Sequence, residues 1–263
     1  MRLLYDSFPD RPAFDTAVSH ALLLRVARGE LEPTLRLHRP SAIVAFGKLD
    51  TIRPGYADAV AAARAHGFAA VERMAGGRAA VYHEQTLGLA EAIPDPDPTT
   101  GTHDRFRAAA GLLAEALAAL GIDARVGEVP GEYCPGEYSV NAAGRVKLIG
   151  TGQRIIRGGA HLGAVIVVRD ADRVRSVLRD VYAALDYDWD PATVGAIADE
   201  APGTTLDDVE RAVTAAFAAR HELVAAELDA ETLALAEQLE PRHSPEGVGV
   251  GDGPLLERAR RPA

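Results

Sequence analysis

The apolar positions of this chain switch between helical and strand-like spacing, and that switching predicts its elements. Phe14, Ala17, Val18, Ala21, Leu22 and Leu24 recur at helical intervals, so Ala13 to Arg28 is expected to be a helix, opened by Pro12 and stopped by Gly29. Leu35–His38 and Ala42–Phe46 are strand-like, divided by the turn Arg39-Pro40-Ser41, and Gly47 to Asp50 follows as a loop. An alanine-rich helix from Tyr56 to His66 ends at Gly67. Strands at Phe68–Glu72, Ala79–Tyr82 and Leu87–Ile93 come next, the first two joined through Gly76-Gly77. A proline-flanked loop (Pro94–Pro98) precedes a long helix, Arg105 to Leu120, and a strand, Ile122–Val126.

The stretch from Gly131 to Ala160 is the most distinctive. A turn, Cys134-Pro135-Gly136, leads into a strand, Tyr138–Asn141. Ala142-Ala143-Gly144 reverses the chain into a strand carrying Lys147, and Gly150-Thr151-Gly152 leads to an alternating run, Gln153–Arg157. Such a hairpin is expected to bring Cys134 and Lys147 together. Beyond it lie an apolar strand, Leu162–Val168, and helices from Asp170 to about Ala184, Leu206 to Val224 and Ala230 to Leu239. Residues 1–11 read as an irregular lead-in, and Pro241–Ala263, rich in Pro, Gly and Arg, as a flexible tail. Strands and helices alternate irregularly around hairpins, which predicts an α+β fold with a mixed, largely antiparallel central sheet flanked by helices. No internal repeat is visible, and residues 1–240 are expected to form one domain.

Composition narrows the function. The formal charge of −10 argues against nonspecific nucleic-acid binding. A single cysteine excludes an internal disulfide framework and a multi-cysteine zinc site. The eight histidines do not fall at metal-ligand spacings, so no metal site is expected. With no long apolar run and no signal-like start, the expectation is a cytoplasmic protein without a membrane segment.

The chemistry is concentrated in few residues. A lone cysteine is ordinarily a small buried hydrophobe, but Cys134 sits in a turn, Tyr-Cys-Pro-Gly-Glu-Tyr, where a thiolate would be accessible as a nucleophile. Lys147 and Lys48 are the only lysines in an arginine-rich chain. Flanked by Val146 and Leu148, Lys147 is either a snorkelling surface residue or a compact donor kept for work that a planar guanidinium does poorly. Gly76-Gly77, after Arg73, is either plain turn chemistry or a backbone nest for an anion or carbonyl. It lacks the Lys-Ser/Thr ending of a phosphate loop.

Three segments in order, Ala42–Gly47, Arg73–Gly77 and Gly144–Arg154, give the chain a resemblance to the lipoate–protein ligase and octanoyltransferase superfamily, which also contains the biotin ligases. The resemblance covers roughly residues 1–240. The segment Tyr133–Tyr138 looks most like the branch that moves octanoyl groups from the glycine-cleavage H protein to other lipoyl-domain proteins. It implies Cys134 as the catalytic nucleophile and Lys147 as the catalytic carbonyl-binding lysine. It also implies Arg73, Gly76, Gly77, His83, Gly150 and Thr151 as substrate-binding residues, an acyl tunnel beneath the glycine loop, and no cofactor. The implied partners are the octanoylated or lipoylated H protein and the E2 lipoyl domains of 2-oxoacid dehydrogenases. Because such domains are acidic, a basic rim of Arg36, Arg39, Arg154 and Arg157 is expected to meet them. Two alternatives stay open: an ATP- and Mg-dependent lipoate–protein ligase, since Tyr82-His83 is closer to the ligase pattern, and a non-catalytic module that binds acyl carriers.

Overall fold

The computed structural model describes residues 1–246. In chain order its strands are β1 (Arg2–Leu4), β2 (Thr34–His38), β3 (Ile43–Phe46), β4 (Ala69–Glu72), β5 (Ala80–Tyr82) and β6 (Thr86–Asp95), then β7 (Ala124–Val126), β8 (Val140–Ala142), β9 (Val146–Ile156), β10 (Gly158–Val167) and β11 (Val224–Ala225). The helices are α1 (Pro12–Ala27), α2 (Lys48–Thr51), α3 (Tyr56–Ala65) and α4 (Thr102–Ala119), followed by α5 (Ala171–Ala184), α6 (Ile197–Glu200), α7 (Leu206–Ala218) and α8 (Ala230–Leu239).

Eight strands form one sheet in the order β11-β1-β2-β6-β10-β9-β8-β7. Only its β11-β1-β2 edge is parallel, so the expected α+β class with a mixed, largely antiparallel sheet is what the chain adopts. A second, three-stranded sheet, β4-β3-β5, was not foreseen as separate. Residues 1–11 are not wholly irregular either. Arg2–Leu4 pairs with β2 on one side and with Val224–Ala225 on the other. For the same reason the helix expected to reach Val224 stops at Ala218: Val224 N–H donates to the Met1 carbonyl at 2.9 Å, and Ala226 N–H to that of Leu3 at 2.9 Å. Gly47–Asp50, expected as a loop, tightens into α2, where the Asp50 carboxylate accepts the Gly47 N–H at 2.6 Å.

The pleat of the large sheet sorts its residues onto two faces. Leu35, Leu37, Leu162, Ala164 and Ile166 pack on one side, against Leu113 and Leu117 of α4 and Val213 and Phe217 of α7. Arg36, His38, His161, Gly163 and Val165 are their alternates and point to the other side, beneath α1 and the small sheet. A capping box at Thr205 and Asp208 starts α7, and Asp229 caps α8 by accepting the Thr232 N–H at 2.7 Å.

α1 is buried on nearly every side because α8 and the turn after it cover its outer face. Of the tail expected from Pro241 onward, residues 241–246 dock here. His243 is buried and donates from Nδ1 to the Glu72 carbonyl at 2.7 Å, and its Nε2 lies 3.1 Å from His20 Nδ1. Residues 247–263 of that tail lie outside the described residues. Among the described residues no helix is long and apolar enough to cross a membrane, and no group of metal-binding side chains is assembled.

Candidate active site

The site lies where the loop between β7 and β8 meets the mouth of the space between the two sheets. Cys134, half-buried at the tip of that loop, has a left-handed backbone (φ 42°), which costs a non-glycine residue about 1 kcal/mol or more. Three contacts impose it. The Cys134 N–H donates to Tyr182 Oη at 2.9 Å, and that hydroxyl donates to the Ala79 carbonyl at 2.9 Å. The Cys134 carbonyl accepts from Lys147 Nζ at 2.8 Å.

Lys147 is not a surface lysine: it is 1% exposed. Its ammonium spends its three donors on Glu132 Oε1 (2.9 Å), the Tyr133 carbonyl (3.0 Å) and the Cys134 carbonyl (2.8 Å), and lies 4.8 Å from the Tyr133 ring centroid. The hairpin therefore brings Cys134 and Lys147 together, but the ammonium meets the cysteine's backbone. Glu132, which the sequence reading missed, is the anchor of the loop. Its carboxylate also accepts from Val129 N–H, Gly136 N–H and Ser139 Oγ. The clue available in the sequence was physical: a buried lysine demands a carboxylate, and Glu132 is two residues from the cysteine.

The cation in contact with the thiol is Arg73, whose Nη2 lies 3.5 Å from Sγ and donates to the Arg78 carbonyl at 2.7 Å. Burial pushes the thiol up, but the Arg73 guanidinium and then the Lys147 ammonium outweigh it, and the net shift is downward from the ordinary thiol value. Gly77 (φ 90°) makes this contact possible: a Cβ there would stand 2.8 Å from Sγ and 2.8 Å from Arg73 Nη2.

Two cavities meet at Cys134. The inner one, about 80 Å³, runs between the sheets, and Arg73, Lys147, Gly150 and Thr151 line it. The outer one, about 480 Å³, opens to solvent and is lined by Gly76, Gly77, Thr151, Phe106, Tyr138 and Ile155 among others. Gly150 is needed beside Lys147, because a Cβ there would come within 3.2 Å of the lysine Cε. Of the expected residues only His83 lies apart from both cavities. It is buried at the end of β5, its Nδ1 accepts from the Gln85 N–H at 3.2 Å, and its pKa is lowered to about 4 by burial and then Arg173. The expected basic rim is also altered. Arg36 is fully buried, clamped to Asp15, and Arg39 is paired with Asp207 and Glu210.

A Geobacillus kaustophilus protein named octanoyl-[GcvH]:protein N-octanoyltransferase is 30% identical over 171 residues, covering 64% of this chain and 60% of its own length. An Oceanobacillus iheyensis protein of the same name is 26% identical over 216 residues, 78% of this chain and 77% of the relative. The chain thus spans about 60% of the length of the first of these. A solved structure from T. acidophilum, presented as a lipoate protein ligase with bound lipoic acid, superposes with a TM-score of 0.73 at 21% identity, over 90% of this chain and 93% of the other. Residues 11–218 match the profile of the lipoyl protein ligase A/B catalytic domain. The resemblance seen in the three motif segments is therefore a true kinship: the chain belongs to the lipoyl protein ligase A/B catalytic-domain family.

Proposed function

We propose that this protein transfers an octanoyl or lipoyl group to a specific lysine of lipoyl-domain proteins, through an acyl-thioester on Cys134, without a cofactor. The observation that carries the proposal is the placement of the thiol: beside Arg73, on a loop locked by Lys147, at the junction of an inner and an outer cavity. The thiolate attacks the carbonyl of an acyl-lysine amide, whose chain lies in the inner cavity, and the departing lysine amine takes up a proton. Attack by the acceptor's uncharged lysine amine on the thioester then forms the new amide, returns the thiolate and releases one proton, which balances the one taken up by the departing amine. Lys147 can stabilise the developing oxyanion by turning one donor from a backbone carbonyl to the substrate oxygen, as a compact ammonium does more readily than a guanidinium. The names of the relatives point to the glycine-cleavage H protein as one substrate, and E2 lipoyl domains are the proposed acceptors.

The ATP-dependent ligase reading has Lys147 bind the adenylate and needs room for a nucleotide beyond it, in the outer cavity. Among the described residues that line that cavity there is no lysine or arginine, and Glu137 is one of them. Such a lining suits the stem of an uncharged lysine and leaves the phosphates of a nucleotide unneutralised. The test is direct. With octanoylated H protein and no ATP, intact-mass spectrometry is expected to show one octanoyl adduct that hydroxylamine removes and that Cys134→Ala lacks. Transfer that needs ATP and survives Cys134→Ala would overturn the proposal in favour of the ligase.

A further inference from the structure

Two loops converge on the thiol, and one stretch of chain is packed against both. The thiol loop, between β7 and β8, carries Cys134, and the glycine loop, between β4 and β5, carries Arg73, Gly77 and Arg78. Neither contains a helix or strand to fix its own shape. The end of α5 and the turn after it supply three aromatic side chains to them: Tyr182, Tyr187 and Trp189. Tyr182 is fully buried, and its ring meets Tyr187 at 5.3 Å and Trp189 at 5.4 Å, both edge to face. Trp189 meets the Tyr133 ring in the same way at 6.5 Å, next to the thiol. On the other loop, the Arg78 guanidinium lies 4.5 Å from the Tyr187 ring centroid, and the Tyr187 hydroxyl donates to the Asp50 carboxylate at 2.9 Å.

The hydrogen bonds are more specific than the packing. Tyr182 has one hydroxyl, and it serves both loops, accepting the Cys134 N–H at 2.9 Å and donating to the Ala79 carbonyl at 2.9 Å. Burial raises that hydroxyl well above the ordinary tyrosine value, so it keeps the proton it donates. The residue before Ala79 is Arg78, whose carbonyl anchors Arg73 Nη2 at 2.7 Å, and the same Nη2 reaches Sγ at 3.5 Å. A closed path therefore runs from the sulfur through Arg73, the Arg78–Ala79 peptide and the Tyr182 hydroxyl back to the Cys134 backbone. The contact at the sulfur is the longest link of this path, and the shorter hydrogen bonds fix where its two ends stand. Attraction between a cation and a thiolate weakens with distance and with the entry of water. A small parting of the two loops is thus enough to release the thiol from Arg73.

We propose that Tyr182 is a positioning residue, whose hydroxyl clamps the thiol loop to the glycine loop and thereby sets the contact between Cys134 Sγ and the Arg73 guanidinium. Tyr182 lines neither cavity, so it works through the Cys134 backbone and through Arg73. It also occupies the Cys134 N–H, which leaves the stabilisation of a substrate oxyanion to side-chain donors such as Lys147. The consequence for catalysis rests on the transfer reading, whereas the contact between the thiol and Arg73 is made without substrate.

The experiment is the pH dependence of Cys134 alkylation by iodoacetamide in the full chain, for the wild type, Tyr182→Phe, Arg73→Gln and the double variant, with circular dichroism to check each fold. Tyr182→Phe keeps the ring and its edge contacts and removes only the hydroxyl. Its midpoint is expected to move upward, by less than that of Arg73→Gln. The double variant is expected to match Arg73→Gln, because Tyr182 acts on the thiol through Arg73. Formation of the octanoyl adduct is expected to fall about tenfold in Tyr182→Phe, short of the roughly 10²-fold loss from displacing a reacting group by about 1 Å. An unchanged midpoint in folded Tyr182→Phe overturns the inference, and so does a double variant whose shift is the sum of the two single ones. If Tyr182→Phe does not fold, amide exchange in the wild type decides: protection of the Cys134 N–H supports the clamp, and exchange at the rate of an unstructured chain overturns it. The midpoints are read without substrate. A wild-type protein that takes no octanoyl group while the variants keep the expected order therefore supports the positioning role and sinks the transfer reading.

Discussion

Two buried ion pairs stand beside the inner cavity, Arg36 with Asp15 near His38 and Lys147 with Glu132 near Cys134, and they do different work. Both cations are essentially without solvent, at 0% and 1% side-chain exposure. Arg36 gives its donors to one element and the chain leading into it: the Asp6 and Asp15 carbonyls, Ser19 Oγ and the Asp15 carboxylate. It fastens α1 to β2. Lys147 reaches from β9 to a loop and fixes the carbonyls of Tyr133 and Cys134. A planar guanidinium suits the first task, because its fork matches acceptors that never move. An ammonium suits the second, because its three donors can be redirected without remaking a plane.

The largest expected effects come from breaking one partner of each pair. Arg36→Met and Lys147→Met each strand a buried carboxylate and are expected to cost roughly 3–5 kcal/mol in urea unfolding. Their activities should diverge. Folded Arg36→Met keeps most of its transfer rate per molecule, whereas Lys147→Met loses about 10²-fold, the cost of misplacing a reacting group by about 1 Å. Adding Glu132→Gln to Lys147→Met removes the stranded charge while keeping an acceptor for Gly136 and Ser139. Stability is expected to recover and transfer is not. Recovery of both would show that Lys147 matters only as a counter-ion.

Acid is expected to have a smaller effect, through two buried histidines, His161 in the lining of the inner cavity and His83 apart from it. Burial, with help from neighbouring charges, lowers the pKa of His161 to about 3 and of His83 to about 4, so both rings are neutral in the folded chain. The unfolded chain takes up protons at the ordinary histidine value of about 6.5 and so binds more of them below that pH. Stability is therefore lost as pH falls from about 6.5 toward 3–4, by up to about 1.4 kcal/mol per pH unit for each ring. The Asp15 carboxyl, raised by burial but held down more strongly by His38 and Arg36, stays charged throughout this window, and its contribution is lost only at lower pH. Urea midpoints at pH 7, 6 and 5 are expected to fall for the wild type and to fall less steeply for His161→Phe. Identical slopes would mean that His161 does not carry the acid sensitivity.

Much of this was legible in the sequence, and the part that was not has a common cause. α1, α3, α4 and α5 were readable because an apolar period repeated over several turns outweighs local noise. β1 and β11 were not, because strands of three and two residues hold no period and are defined by partners across the chain. Leu35-Arg36-Leu37-His38 showed that Arg36 and His38 share a face. Which face is buried depends on α1 covering it, so Arg36 was expected at the rim and is found inside. In the site, Cys134 and Lys147 stood out through rarity. Glu132 and Tyr182, which fix the loop, were hidden among many acids and helix-face aromatics, since their roles exist only once β9 and α5 are packed against it.

The smallest change in stability, and the sharpest test of the mouth of the cavity, is expected at Arg73. Its guanidinium touches Sγ and is anchored by the Arg78 carbonyl, so it lowers the thiol pKa without holding the loop that Lys147 and Glu132 hold. Removing its charge leaves the Lys147 ammonium, which stands second to Arg73 among the charges that pull the thiol down, as the main opponent of burial. The pH midpoint of Cys134 alkylation by iodoacetamide is therefore expected to move upward in Arg73→Gln and to move less in Arg73→Lys, which keeps the charge but loses the fork. Lys147→Met read in the same assay supplies the other half of the comparison: a smaller upward shift than Arg73→Gln, despite its much larger cost in stability. If the two shifts came in the opposite order, the ammonium would be the thiol's partner in solution, and the division of labour between Arg73 at the sulfur and Lys147 at the backbone would have to be reversed.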